Sequence, residues 1–303
     1  SLVIKLISNL KTENLINSLK EFSWEAALIM IHYSQEIKSI NNDSKLVKFK
    51  KNEEPVTIAD LEVNKLIISR IKEKYPDIMW GFLSEENFKE DSYDNLEYEW
   101  LWVFDPLDGT KDFIQGTGNY AMHLALNYRN KPFLGVVLIP SRDELWISNG
   151  ETLSCENKSG KNKKITLSTN KNLREMTLVT SQNHKDRYLQ KLLSKIPCKK
   201  VISMGSIGCK ISSILRGESD LYISLSDPQK GSPKDWDYAA PDAILRAAGG
   251  VITNLDNEEI VYNKKNLDHS GLIIASNNRT NHKFICKELK ALIEKDNLIP
   301  FKY

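Results

Sequence analysis

Trp100 to Ile114 reads WLWVFDPLDGTKDFI, and this stretch decides how the chain is read. Leu101 to Phe104 is an unbroken apolar run, the pattern of a strand buried on both faces. It stops at Asp105, Pro106, a second carboxylate at Asp108, and the pair Gly109-Thr110. The reading is therefore strand, acidic turn, helix start. Such a turn presents two carboxylates on one side while the amides after Gly109 face outward as anion donors. Carboxylates beside an anion site require cations between them.

Working outward, 303 residues with 41% apolar content can bury a large core. Forty-two Lys+Arg against 40 Asp+Glu leave a formal charge of +2, so no global basic field argues for nucleic acid. The cysteines Cys155, Cys198, Cys209 and Cys286 lie far apart with no CxxC. That spacing excludes a zinc motif and a disulfide scaffold, and a reducing, cytoplasmic setting is the expectation. The apolar SLVIKLISNL at residues 1–10 is interrupted by Lys5 and has no small-residue cleavage pattern. No membrane-spanning run is expected.

Apolar residues three or four apart from Leu15 to Ile37 predict a long helix over residues 12–40. A Lys-rich loop is expected at 41–54, then a helix from Pro55 to about Tyr75 with Asp60 in its first turn. Taken alone, Asp60 is either a carboxylate interacting with the helix dipole or a site residue. Ile78 to Leu83 reads as a strand, followed by Glu85-Glu86 as a solvated turn, and residues 90–97 as an acidic insertion. Residues 120–128, 132–139 and 144–148 read as an antiparallel meander, and 156–164 as a hairpin tip or surface loop. From Met176 onward strands alternate with helices, including helices at 207–215 and 237–248. Strand ends in such sheets carry ligand groups, which points to His184, Gly205-Ser206 and the Asp235-Trp236-Asp237 run. Each also has a structural reading, as packing residue, turn or helix cap. We expect two halves, an α+β half at residues 1–173 and an α/β half at 174–303.

Asp60, Glu85, the Asp105/Asp108 pair and Asp237 thus come from segments widely separated in the sequence, each at a strand end or helix start. Oxygen donors without His or Cys partners select Mg²⁺, Mn²⁺ or Ca²⁺ over zinc. At this point the chain resembles a known family. PVTIAD (55–60), LSEE (83–86), DPLDGTKDF (105–113) and DWDYAAPDAILRAAGG (235–250) are, in this order, similar to the signatures of the inositol monophosphatase superfamily of Mg²⁺-dependent phosphatases. The resemblance runs from about Leu15 to the end of the sequence. PVTIAD, the Lys-Asp-Phe after Thr110, and the GS-x-x-x-K element at Gly205 to Lys210 are closer to the 3'(2'),5'-bisphosphate nucleotidase branch, the CysQ-like proteins.

The resemblance implies a layered αβαβα sandwich of the inositol monophosphatase and fructose-1,6-bisphosphatase type. It implies two or three Mg²⁺ ions held by Glu85, Asp105, the Leu107 carbonyl, Asp108 and Asp237. Gly109 and Thr110 correspond to the phosphate contacts, Asp60 to the acid that acts with Thr110 on the attacking water, and Glu86 to a neighbour that orients water. Ser206 and Lys210 fall on the substrate side. The implied substrate is adenosine 3',5'-bisphosphate, hydrolysed to AMP and phosphate in sulfur assimilation, with inositol or sugar phosphates as the alternative. The implied partner is a small phosphorylated molecule, and the chain is expected as a monomer or homodimer. A non-catalytic metal-dependent binder of phosphorylated metabolites is the reading from a different class. Two positions depart from the pattern: Pro241 stands where glycine is common, and Gln182 where arginine is frequent. Lys185, Arg187, Lys210 and Lys230 are each either a second-phosphate contact or surface charge.

Overall fold

The computed structural model describes residues 11–43, 50–89, 98–183 and 186–303, with side chains outside 41–43 and 50–55. Two long helices open the chain, α1 (Thr12–Asp43) and α2 (Lys50–Lys74). The second begins five residues before the expected start and runs through Pro55, so Asp60, expected in the first turn, lies well inside the helix, beyond the reach of its N-terminal dipole. The ring costs one ladder bond near the helix start, which the rest of the helix tolerates. A six-stranded sheet follows, in the order β1 (Gly81–Ser84), β2 (Trp100–Asp108), β3 (Ala121–Tyr128), β4 (Lys131–Ile139), β5 (Glu144–Ser148) and β6 (Leu153–Glu156). Strand β1 pairs parallel to β2, and every later neighbour is antiparallel, which is the expected meander.

Between β1 and β2 lies the short helix α3 (Glu85–Lys89), where a solvated turn was expected. Ser84 Oγ accepts from the Asn87 amide at 3.0 Å and caps it. After β2 comes α4 (Thr110–Gln115). The second sheet has the order β10, β11, β9, β7, β8, with β7 (Thr177–Ser181), β8 (Lys200–Met204), β9 (Leu221–Ser226), β10 (Val251–Asn254) and β11 (Gly271–Ser276). Its remaining helices are α5 (Arg187–Lys195), α6 (Ile207–Leu215), α7 (Asp235–Ala247) and α8 (Arg279–Asp296).

The alternation within each strand explains the layers. Trp102 and Phe104 of β2 pack with α1 and α2, while Leu101 and Val103 turn to the opposite face. That opposite face packs on α6 and α7, whose other side meets Val179, Tyr222 and Ile273 of the second sheet. Leu178, Ile223 and Ile274 leave that sheet on its far side and meet Leu192 of α5 and Leu289 of α8. The result is an αβαβα sandwich, as the resemblance implied. Helix α7 approaches β4 so closely that a Cβ on Gly135 would sit 2.6 Å from Ala243 Cβ and 2.9 Å from the Ala240 carbonyl oxygen. Small residues on both sides bring α7, and the Asp237 at its start, down onto the first sheet. No described helix is long and apolar enough to cross a membrane.

Candidate active site

The apolar run of β2 continues through the acidic turn and ends only at Asp108. A register shift against β3 falls between Asp105 and Asp108, so the stretch around Pro106 is a bulge within the strand. Asp105 Oδ1 accepts from the Leu107 amide at 3.1 Å, which fixes the buried carboxylate against its own turn. Gly109 then takes φ 88°, and α4 starts without a side-chain cap. A Cβ on Gly109 would lie 2.6 Å from the Asn119 carbonyl oxygen and 3.2 Å from Ser206 Cβ. Glycine is required both for the left-handed turn and for the approach of the Ser206 loop.

Asp237 sits in the first turn of α7, and its Oδ2 accepts from the Lys234 amide at 2.7 Å. The helix starts at Asp235, two residues earlier than expected, which places Pro241 in its interior. Pro241 therefore has no N–H for the Asp237 carbonyl four residues back, and the helix nevertheless continues to Ala247.

These elements bring the predicted acids together in two groups. Carboxylate oxygens of Asp105, Asp108 and Asp237 lie within 4.8 Å of one another, as do those of Asp60, Glu85 and Glu86. Burial, then the charges of Glu85, Asp108 and Asp237, push the Asp105 pKa well above the usual carboxylate range. Burial and the charge of Asp108 raise Asp237 to about 8. Asp60 is raised well above its ordinary value by burial first and by Glu85 and Glu86 second. Its Oδ1 is buried without a hydrogen-bond partner, so the bond from Thr110 expected of a proton relay does not reach that atom. Several buried carboxylates and an orphaned oxygen, in two groups that among the described residues contain oxygen ligands alone, fit hard divalent cations.

Glu85, Asp105, Asp108 and Asp237 open onto a cleft of about 640 Å³, whereas Asp60 and Glu86 do not line it. Glu85, Asp105, Leu107, Asp108, Gly109 and Thr110 form one side of it, with Asp237. Ser206, Lys210 and Lys230 line it as well, together with residues at the ends of β7 and β9. Ser206, at φ 61°, caps α6 by accepting from the Cys209 amide at 3.3 Å. Lys210 is buried, donates to the Met204 carbonyl at 3.2 Å, and has its pKa lowered by burial. Arg187 and Gln182 are exposed and do not line this cleft. His184 and Lys185 fall outside the described residues.

Three features escaped the sequence reading. His123 Nε2 accepts from the Gly208 amide at 3.1 Å and lies 3.5 Å from Asp108 Oδ2, joining the bulge of β2 to α6. Asp112 is buried and bound by Thr117 Oγ1 at 2.8 Å and Asn183 Nδ2 at 2.7 Å, tying α4 to the end of β7. Lys89 reaches Glu85 and Glu86 at 2.9 and 3.1 Å. Only the Lys-Asp-Phe triplet hinted at the second of these; a lone histidine in a strand and a lysine after an acidic pair carry no such signal.

A model of the inositol monophosphatase family matches residues 11–294. The 3'(2'),5'-bisphosphate nucleotidase CysQ of Buchnera aphidicola subsp. Acyrthosiphon pisum is 33% identical over 210 residues, 68% of this chain and 73% of that protein. CysQ of Escherichia coli K12 is 30% identical over 215 residues, 70% of this chain and 81% of the other. An inositol monophosphatase structure from Zymomonas mobilis has a TM-score of 0.70 at 20% identity, covering 93% of this chain and 98% of that one. One from Anabaena has a TM-score of 0.68 at 22% identity, with 93% and 96% covered. Likeness at such low identity shows the fold alone, whereas the family match spans nearly the whole sequence and takes in every acid gathered at the cleft. The chain belongs to the inositol monophosphatase family and is a phosphatase of a kind that uses divalent metal ions.

Proposed function

We propose that this protein is a Mg²⁺-dependent 3'(2'),5'-bisphosphate nucleotidase that converts adenosine 3',5'-bisphosphate to AMP and phosphate. The observation that carries the proposal is the convergence of acids from α3, β2 and α7 at a cleft far larger than one phosphate, with Asp60 of α2 grouped against Glu85. At about 640 Å³ the cleft lies inside the range of roughly 300–1,000 Å³ typical of sites for whole small molecules. Lys210 and Lys230 supply positive charge within it for a second phosphate. The likeness to the two CysQ proteins supports the same substrate class.

Glu85, Asp105, Asp108, Asp237 and the Leu107 carbonyl would hold the ions. When bound, Mg²⁺ neutralises the phosphate dianion and acidifies the attacking water. The uncapped start of α4 at Gly109 and Thr110 offers its donors to the phosphate oxygens. Asp60, whose unpaired Oδ1 is open to a donor, accepts the proton lost by the water, and the Thr110 hydroxyl is assigned as its partner in that relay. Glu86, beside Asp60, orients that water. Ser206 and Lys210 hold the rest of the substrate.

Phosphate release from adenosine 3',5'-bisphosphate, inositol 1-phosphate and fructose 1,6-bisphosphate, with Mg²⁺, tests the assignment. A higher kcat/KM for either of the last two defeats the nucleotidase reading and leaves an inositol or sugar phosphatase. Asp60→Asn is expected to lower kcat by about 10²–10⁴, the usual worth of a general base, while substrate binding persists. Unchanged turnover in that variant would remove Asp60 from the mechanism.

A further inference from the structure

The two acidic groups at the cleft differ in one respect. Among the described residues no lysine or arginine forms an ion pair with Asp105, Asp108 or Asp237. The group of Asp60, Glu85 and Glu86 carries its own cation: Lys89 Nζ lies 2.9 Å from Glu85 Oε1 and 3.1 Å from Glu86 Oε1. Helical spacing produces this contact, because residues three and four positions apart share a face of α3.

We propose that Lys89 is a built-in counter-ion of the Asp60, Glu85 and Glu86 group, and that a divalent ion using Glu85 must displace it. Lys89 thereby sets the Mg²⁺ concentration the protein requires. The inference rests on the metal-dependent reading above. Three carboxylates against one ammonium leave the group negative, so it still attracts a dication while Lys89 is in place. Asp60 Oδ1, buried and unpaired, shows that the ammonium satisfies only part of the group. The Lys89 side chain is 57% exposed, so it can swing into solvent without opening the core.

Calorimetric titration of the full chain with Mg²⁺, without substrate, tests the proposal in wild type, Lys89→Met and Lys89→Arg. Lys89→Met keeps the length and removes the charge; it is expected to bind Mg²⁺ roughly tenfold more tightly, in line with loss of two modest exposed ion pairs. Lys89→Arg is expected to match wild type. A second readout moves the opposite way. In EDTA the Lys89→Met protein should unfold at a lower temperature than wild type, because its acids have lost their counter-ion. Equal or weaker Mg²⁺ affinity in Lys89→Met overturns the proposal while leaving the phosphatase reading intact. A wild-type chain that takes up no divalent ion overturns both.

Discussion

Asp60 and Asp105 are each buried and each face further carboxylates, which pushes both well above the usual carboxylate range. Both were legible in the sequence through the motifs that carry them, although Asp60 stands inside α2 and Asp105 inside β2, where segments distant in the chain complete their surroundings. Lys89 was not, because Glu85-Glu86 was read as a turn and only the helix α3 brings Lys89 onto their face, and the Asp112–Asn183 bond was not, because tertiary packing sets its partner. His282 illustrates the same limit and yields a prediction. It is fully buried, with Ser276 Oγ 2.6 Å from Nδ1 and Thr253 Oγ1 2.6 Å from Nε2, and burial lowers its pKa from 6.5 to about 4. Between these values the unfolded chain binds a proton that the folded chain refuses. The contribution of the neutral imidazole is fully present above pH 6.5 and is lost as pH falls towards 4. Its size is about 3 kcal/mol at 1.36 kcal/mol per unit. Urea unfolding from pH 7 to pH 4 should therefore show the stability gap between wild type and His282→Gln narrowing as the solution is acidified. A gap that holds constant would show that His282 does not titrate this way.

Helix α7 shows what a sequence pattern conveys about an element and what it omits. Its existence was readable, whereas its start at Asp235 was not, because that start is fixed by a distant segment. The Asp235 amide donates to the Leu267 carbonyl at 3.1 Å and the His269 amide to the Pro233 carbonyl at 2.8 Å. The buried Asp235 carboxylate meets His269 Nε2 at 2.7 Å and accepts from the Asn263 amide at 2.7 Å. Residues 263–269 thus clamp the helix start two residues before Asp237. His269→Ala would leave one oxygen of a buried carboxylate without its partner, a loss of about 1–3 kcal/mol. Chemical denaturation is the measurement, and a change below about 0.5 kcal/mol, the range of ordinary surface substitutions, would remove the clamp from the account. Other element ends moved for similar reasons. The β2 bulge keeps Pro106 inside a strand, and β6 forms because β5 offers it an edge.

At the scale of the whole molecule, the strand and helix order specified an α/β fold, and the motif order named its family type. Periodicity alone does not say that α6 and α7 lie between the sheets, because a helix buried on two sides reads as apolar whichever sheet covers it. That placement has an energetic consequence. Asp237 reaches the bulge of β2 only because α7 packs on the first sheet, so folding itself forces Asp105, Asp108 and Asp237 together. The charge repulsion is a cost of the ion-free fold, retained for function. Asp105→Asn keeps an acceptor for the Leu107 amide while removing one buried charge. In EDTA this variant is expected to melt several degrees above wild type, the reverse of Lys89→Met. Saturating Mg²⁺ at about 100 times its Kd should stabilise wild type by about 2.7 kcal/mol, or roughly 5 °C, and leave Asp105→Asn nearly unmoved. Thermal melts in EDTA and in Mg²⁺ read both effects. If Asp105→Asn melts lower than wild type in EDTA, the carboxylate is stabilising in the ion-free fold and the acids are not held together against their own repulsion.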